Sequence, residues 1–311
     1  MKTLVIINPA SHGVRTRSIE PVVRKFFAGG ENTIETTSYC GHATTLARRA
    51  IRNGYDRIVA VGGDGTVNEI LNGIVGSDVK LGIIPAGTAN DVARHHGIPA
   101  GTEQACEIIT AGKTHQVDVI VVNDWHYLTV GGIGLPCETL LAAERLKTGN
   151  SASRFLARAF AGKLYLLTLL YAFSRRGWRG KRIRIDSGND TNASSTISLI
   201  VGNQPRLGNQ FLVLPGAQNN DGLLDVFEIH DLGSLVRAFE TVARTIDGSH
   251  VGRHDVRMFR TKQLTVETDH PVPFFGDGQV GRRDTRFDIS ILRQSVRLLV
   301  PQSWKDEPND H

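Results

Sequence analysis

Two stretches of the chain set the same residue types in the same order. IVAVGGDGTVNEI runs from Ile58 to Ile70 and GIIPAGTANDVAR from Gly82 to Arg94. In each, an apolar run enters a glycine-bearing turn and leaves through Gly-Thr-x-Asn-acid into a segment with helical spacing. The glycines at positions 62, 63, 65 and 87 remove side chains, so backbone N–H groups can approach a phosphate. A helix N-terminus just beyond adds unpaired N–H groups and the positive end of its dipole. Thr66 with Glu69, and Thr88 with Asp91, also suit plain helix starts, the first as a T-x-x-E capping box and the second as its shorter-armed analogue. Asp64 tips the first turn toward chemistry. An acid between glycines is awkward beside a phosphate unless it holds a divalent cation or orients a nucleophile.

Such turns belong at the carboxyl ends of parallel strands, and the flanking segments supply them. TLVIINP, the run ending in IETTSY, DRIVAV and LGIIP are short and rich in Val and Ile; PVVRKFF, HATTLARRAIRNG and TVNEILNGI between them have helical spacing. This alternation predicts a parallel sheet with helices on both faces. From about Asn123 the rhythm changes. VDVIVVNDWHYLTVGG predicts a hairpin through Asn123-Asp124, Cys137–Lys147 and Phe155–Phe173 predict helices, and after Lys181 nine short runs read as strands, interrupted by the helix SLVRAFETVARTI. The second part is expected to be mainly antiparallel, a sandwich or an open barrel, with the boundary between Val122 and Gly131.

Composition bounds the rest. At 311 residues with 40% hydrophobic residues, the chain suffices for two domains with proper cores. Cys40, Cys106 and Cys137 form no CxxC pair and read as reduced thiols of a cytosolic protein. The N-terminal MKTLVIINPASHG reads as a first strand rather than a signal peptide. The apolar run LYLLTLLYAF, Leu164–Phe173, is about half of the ~20 residues that a spanning helix needs. Net charge is +5, and no nucleic-acid motif accompanies it. His42, His95 and His96 have no carboxylate or cysteine at ligand spacing and read as helix-end histidines.

GGDGTVNEILNG together with PAGTANDVAR resembles the diacylglycerol kinase catalytic-domain family, soluble bacterial lipid kinases related to sphingosine and ceramide kinases. INPASHG at Ile7–Gly13 is similar to its opening loop, with His12 where glycine is usual or an extra residue inserted, and TSYCGHATTLARRA to its Thr and Gly-His-Ala element. GNQPRLGNQFLVLPGAQNNDGLLDV and FFGDGQ resemble its later Asp-Gly-x-x-Asp and Asp-Gly-Glu elements. The resemblance implies an NAD-kinase-like N-terminal α/β domain and a C-terminal antiparallel β-sandwich domain. The division expected is 1–125, rejoined by 294–311, and 126–293. It implies ATP and Mg2+ as cofactors and transfer of the γ-phosphoryl group to the hydroxyl of a membrane lipid, diacylglycerol-like or sphingoid-like. An NAD-kinase-like enzyme and a silent lipid- or nucleotide-binding protein are the rivals. The implied place is the cytoplasm, at the inner face of the membrane; the oligomeric state stays open, a homodimer among the options.

Carried over by position, the ATP contacts are Asn8, Pro9, Ala10, Ser11, His12, Thr37, Gly63, Asp64, Gly65, Thr66, Val67, Asn68, Glu69 and Thr88. NNDGLLD reads either as an Asn-Asp-Gly turn or as a site of hard oxygen ligands suited to Mg2+. The family's structural magnesium implies the latter, held by Asp221 and the carbonyls of Gln218 and Leu223. Gln279 stands where the family's glutamate accepts the lipid hydroxyl proton. Glutamine has no proton-accepting state near neutral pH, so Asp64 and Asp277 are the alternative bases. A lipid enzyme must also meet a bilayer. Phe155–Phe173 followed by Arg175, Arg176, Trp178 and Arg179 pairs apolar insertion with attraction to anionic headgroups; a core helix and a solvated basic strand is the competing reading.

Overall fold

The computed structural model describes residues 1–11, 13–148, 168, 172, 179–188, 190–208, 210–231 and 233–305. The chain divides into two compact units: Met1–Thr129 with Gln218–Gly222 and Ile291–His311, and Val130–Ala217 with Leu223–Ser290. The short insert 218–222 is not foreseen by the sequence division.

In the first unit β1 (Thr3–Ile7), β2 (Asn32–Thr36), β3 (Arg57–Gly62) and β4 (Lys80–Pro85) alternate with α1 (Gly13–Phe26), α2 (His42–Arg52), α3 (Asp64–Ile74), α4 (Asp91–His95) and α5 (Thr102–Ala111). The strands are parallel in the order β2-β1-β3-β4, with Ile7 level with Thr36 and Val61, and Gly62 level with Pro85. β1 and β3 are buried at every residue, which explains their unbroken Val and Ile runs, since helices cover a parallel sheet on both sides. β5 (Thr114–Val122) and β6 (Trp125–Tyr127) form the expected hairpin, with Val122 opposite Trp125 and Asn123 at φ 54°.

The second unit contains β7 (Val130–Gly134), α6 (Leu135–Thr148), β8 (Lys181–Asp186), β9 (Thr191–Gly202), β10 (Arg206–Leu207), β11 (Phe211–Leu212), β12 (Leu224–His230), α7 (Leu235–Arg244), β13 (Val256–Thr261), β14 (Gln263–Gly276) and β15 (Gln279–Leu299). Its pairings are antiparallel, β13-β12-β9 on one side and β14-β15 on the other. β7 and β8 both lie between β9 and β14, pairing with different halves of each. Ile197, Ile200, Phe227, Ile229 and Phe275 form its core. Segments that read as separate strands run together here. QLTVET and VPFFGD are one strand, β14, with an irregularity between Glu267 and Val272. RFDISIL and SVRLLV are likewise one, β15, whose residues beyond Ser290 belong to the first unit and pair in parallel with β4. QFLVLPG shrinks to the two residues of β11.

The helix expected over Phe155–Phe173 and the basic stretch after it lie outside the described residues, save for Thr168, Ala172 and Arg179. No helix among the described residues is long and apolar enough to cross a membrane. Burial pushes the Cys106 thiol up to about 11 and the Cys137 thiol up to about 12, so both stay protonated and unreactive near neutral pH.

β7, VGGIG, is an odd sequence for a fully buried strand. Gly132 has φ 146° and Gly134 φ 94°, and a Cβ on either would collide with a β9 carbonyl, of Leu199 and Ile197 respectively. Close backbone approach thus replaces side-chain packing in this slot. Gly132→Ala is expected to destabilise the protein by at least ~2 kcal/mol, measured as a lower urea midpoint with an unchanged slope.

Candidate nucleotide-binding site

The loops carrying the motifs leave the carboxyl ends of β1 to β4. Backbone bonds extend the strand ladder into them: the Asn8 N–H donates to the Val61 carbonyl (3.0 Å), Thr37 to Ile7 (2.9 Å) and Ala86 to Gly62 (2.8 Å). The strand order therefore sets Thr37, Asn8, Gly63 and Gly87 along one edge. There the two glycine turns meet. A Cβ on Gly63 would lie 3.0 Å from the Gly87 Cα, and one on Gly87 would lie 2.8 Å from Asn90 Oδ1 and against the Gly63 Cα. Backbone cannot yield to such contacts as a side chain can, so both positions require glycine.

Asp64 fastens the turns to one another. Its Oδ2 accepts the Asn90 N–H (2.8 Å) and its Oδ1 the Asp91 N–H (2.7 Å), so the first residue of α3 caps α4. Asn90, at φ 52°, holds the second turn closed: its Oδ1 accepts the Gly87 N–H and its Nδ2 donates to the Gly87 carbonyl, both at 2.9 Å. Glu69 acts alike on the other side. Its Oε2 accepts the Ala43 N–H (3.1 Å), and the Thr44 hydroxyl donates to the Glu69 carbonyl (2.7 Å), which caps α2. Neither α2 nor α4 has a side-chain cap from its own N-cap residue.

The capping-box expectation is corrected by this arrangement. α3 begins at Asp64 after Gly63, and α4 at Asp91 after Asn90, so neither threonine is an N-cap. Thr66 Oγ1 instead accepts from Asn8 Nδ2 (2.9 Å), tying the first loop to α3, while Asn8 Oδ1 accepts the Ala10 N–H (3.0 Å). The acids reach sideways because their helices lie side by side, which local spacing does not register.

The residues assigned to ATP divide accordingly. Pro9, Ala10 and Thr88 are exposed; Asn8, Ser11, Thr37, Gly63, Asp64, Gly65 and Glu69 are half-buried; His12 lies outside the described residues. Thr66, Val67 and Asn68 are buried. Asn68 Nδ2 donates to the His126 carbonyl (2.9 Å) and its Oδ1 accepts from Trp125 Nε1 (3.3 Å), so its amide serves the β5–β6 hairpin. The Thr66 and Val67 N–H groups donate to the Gly63 carbonyl (2.9 and 3.1 Å). α3 has no N-cap side-chain bond, and its first-turn N–H groups lie at the end of the helix where an anion is favoured.

A second cluster surrounds the insert 218–222. Asp118, fully buried in β5, is a residue that the sequence reading missed, although an acid within VDVIVV signals it. Its Oδ2 accepts the Gly222 N–H (2.6 Å), its Oδ1 the Gln294 N–H (2.7 Å), and its own N–H donates to the Asn219 carbonyl (2.7 Å). Burial pushes its pKa up, the two N–H bonds hold it down in part, and the negative charge of Asp221 pushes it up again. A cation near Asp221 would relieve that repulsion, and the donors are the hard oxygens that magnesium prefers. No three His, Cys, Asp or Glu side chains among the described residues are grouped to hold a metal.

Asn219 is pinned by two histidines. His96 Nδ1 lies 2.8 Å from the Val92 carbonyl, which can only accept, so Nδ1 carries the proton and Nε2 accepts from Asn219 Nδ2 (2.9 Å). His115 Nε2 faces Asn219 Oδ1 at 3.2 Å, and both rings pack against Trp304. In the second unit, Asp277 and Gly278, at φ 49° and 72°, form the two-residue turn joining Gly276 to Gln279. Asp277 is buried there and Gln279 exposed. Asp-Gly is a favoured pair for that turn, which by itself accounts for the dipeptide.

Two outcomes test these assignments. Asp64→Asn turns an amide N–H toward a backbone N–H, so it should cost ~1–3 kcal/mol of stability and weaken ATP affinity, read by urea unfolding and calorimetric titration. His96 is held well below the usual histidine pKa, first by burial and then by the nearby His95 charge. The unfolded chain thus takes up a proton near pH 6.5 that the folded chain refuses, so stability should be level above pH 6.5 and fall below it. Urea midpoints from pH 8 to 5 should show this decline, and His96→Gln should make it shallower, His126 and His250, also lowered by burial, keeping part of it.

Residues 2–122 match the family model for the diacylglycerol kinase catalytic domain, and residues 150–299 that for the YegS C-terminal NAD kinase beta sandwich-like domain. A YegS-like lipid kinase of Alcanivorax borkumensis is 30% identical over 88% of this chain and 88% of its own. A diacylglycerol kinase of Mycobacterium tuberculosis is 29% identical over 97% of this chain and 96% of its own. A crystal structure from Bacillus anthracis, 24% identical, covers 98% of both chains with a TM-score of 0.78 and so shares the fold. The chain belongs to the diacylglycerol kinase catalytic-domain family, in the arrangement that joins this domain to a YegS-type, NAD-kinase-like β-sandwich domain.

Proposed function

We propose that the protein is an ATP- and Mg2+-dependent lipid kinase that transfers the γ-phosphoryl group to a hydroxyl of a diacylglycerol-like or sphingoid-like lipid. The observation that carries this reading is the pair of glycine turns clamped by Asp64 at one sheet edge. The names of the relatives, diacylglycerol kinase and YegS-like lipid kinase, support the substrate class.

In this reading the phosphates rest on the first glycine turn at 62–65, beside Thr88 of the second, with the α3 dipole behind them. Phosphoryl transfer passes through a loose transition state in which positioning and charge stabilisation matter most. Rigid, side-chain-free turns supply the positioning. Magnesium would supply charge neutralisation on the phosphates, and a second ion at Asp221, Gln218 and Leu223 would hold the inserted loop. Both carboxylate oxygens of Asp64 are taken up by backbone N–H groups of the second turn, the bonds that hold the two turns together. We therefore read it as a positioning residue and assign the proton to Asp277. Asn-Gly forms the same turn as Asp-Gly, so Asp277→Asn removes the acid while keeping the hairpin.

The test is purified protein with labelled ATP, Mg2+, diacylglycerol, a sphingoid base and, as control, NAD. Phosphorylation of a lipid is expected; phosphorylation of NAD alone, or no turnover at all, overturns the reading. Asp277→Asn should lower kcat by about 10²-fold or more with KM for ATP little changed, and Gln279→Glu should raise kcat, since general-base assistance is worth ~10²- to 10⁴-fold. An unchanged rate in Asp277→Asn would remove Asp277 as the base.

A further inference from the structure

The loop that leads from Thr37 to α2 presents an aromatic ring for which phosphate binding has no use. Tyr39 is 61% exposed, and the His42 ring lies against it nearly coplanar, with centroids 4.5 Å apart and planes 16° from parallel. With one face on His42, the opposite face of the phenol ring is open. Hydrogen bonds hold the pair in place. His42 Nδ1 accepts the Ser38 N–H (3.1 Å), the His42 N–H donates to the Tyr39 carbonyl (3.2 Å), and Thr37 is tied to Ile7 of β1 (2.9 Å). The next residue, Ala43, gives its N–H to Glu69 of α3. The stacked pair therefore adjoins the clamp between α2 and α3. Strands of a sheet lie ~4.8 Å apart, so the loop after β2 stands two spacings, ~10 Å, along the edge from the Gly63 turn after β3.

We propose that the open face of Tyr39 is the platform on which the purine base of the bound nucleotide stacks, with His42 backing the ring from the other side. The inference rests on the ATP-dependent reading of this site and deepens it, since phosphates alone do not say which nucleotide is held. Charge and shape decide the occupant. Residues 37–45, TSYCGHATT, contain no acid, lysine or arginine, so this end of the edge suits the uncharged part of a nucleotide rather than its phosphates. A single ring between the exposed Ser38 and Cys40 matches a planar heteroaromatic of its own size and is too small a patch for a protein or a bilayer. Aromatic rings favour offset parallel stacking, the arrangement that His42 already adopts, so a base would extend an existing stack. The interval to the Gly63 turn is one that ribose and base together cover. Stacking grows with ring area and reads no hydrogen bonds, so the platform favours ATP and GTP over CTP and UTP without telling adenine from guanine.

The full chain is titrated calorimetrically with ATP, with CTP and with inorganic tripolyphosphate, each in the presence of Mg2+. The unaltered protein should bind ATP more tightly than CTP. Tyr39→Ala should weaken ATP binding by about fivefold or more and close most of the gap between ATP and CTP, while tripolyphosphate binding stays within about twofold. Tyr39→Phe and Tyr39→Trp keep the stacking face and should restore ATP binding. The tryptophan should also add a fluorescence component that ATP changes and tripolyphosphate does not. In the lipid assay Tyr39→Ala should raise KM for ATP far more than it lowers kcat, because it removes binding shared by ground and transition states. Undiminished ATP binding by Tyr39→Ala overturns the platform. An equal loss for ATP and tripolyphosphate also overturns it, by making the loop a support for the phosphates. Failure of the unaltered protein to bind ATP overturns the nucleotide reading and the platform with it; ATP binding that Tyr39→Ala weakens, without phosphorylation of any lipid, overturns the kinase reading and leaves the platform standing.

Discussion

Every helix N-terminus leaves N–H groups without partners, and in the first unit two such ends are satisfied by one neighbouring helix. Asp64 and Glu69 of α3 cap α4 and α2. The carboxylates favour these positions through hydrogen bonding and through the positive ends of the dipoles they face. The result sets the spacing of the whole edge. Because α3 holds both flanking helices, the loops preceding them stay level with its own N-terminus, and Asn8 joins the same scaffold through Thr66. Glycine against glycine at Gly63 and Gly87 then lets the backbones approach closely enough for the Asp64 bonds to form.

This division of labour gives the acid between the glycines a structural partner. Asp64 directs its oxygens to the amides of the other turn, so its charge is balanced by α4. The N-cap of α3, Gly63, has no side chain to cap the helix, while the acids of α3 are spent on its neighbours. The insert 218–222 follows a similar logic in miniature. Asp118 accepts two backbone N–H groups, and Asn219 is gripped by His96 and His115. A loop from between two strands of the second unit thereby becomes part of the first.

The second unit solves a different problem. β7 and β8 fill one slot between β9 and β14, and the glycines of β7 trade side-chain packing for close backbone contact. The Asp277-Gly278 turn ends β14 where Gln279 begins β15, so the one departure from the family's acid falls on an exposed strand start rather than in the core. α7 completes the unit with Ala238 and Thr241 buried.

Much of this was legible in the chain. Unbroken Val and Ile runs at β1 and β3 announced parallel strands, because both faces of such strands are covered, and the doubled Gly-Thr-x-Asn-acid turn pointed to the family. Asn123-Asp124 announced a hairpin because its turn geometry is local. What sequence spacing could not express was the partner of each polar group. Thr66 and Glu69 fit a local capping box, yet tertiary packing gave Thr66 to Asn8 and Glu69 to α2. Asp118 looked like one acid in an apolar strand until the fold brought Gly222, Gln294 and Asp221 to it across the chain. The same holds for FFGDGQ, where a favoured turn pair and a family motif share the same two residues. Periodicity and turn preference are properties of neighbours along the chain and can be read there; capping in trans, charge repulsion and burial depend on distances that exist only after the strands have paired.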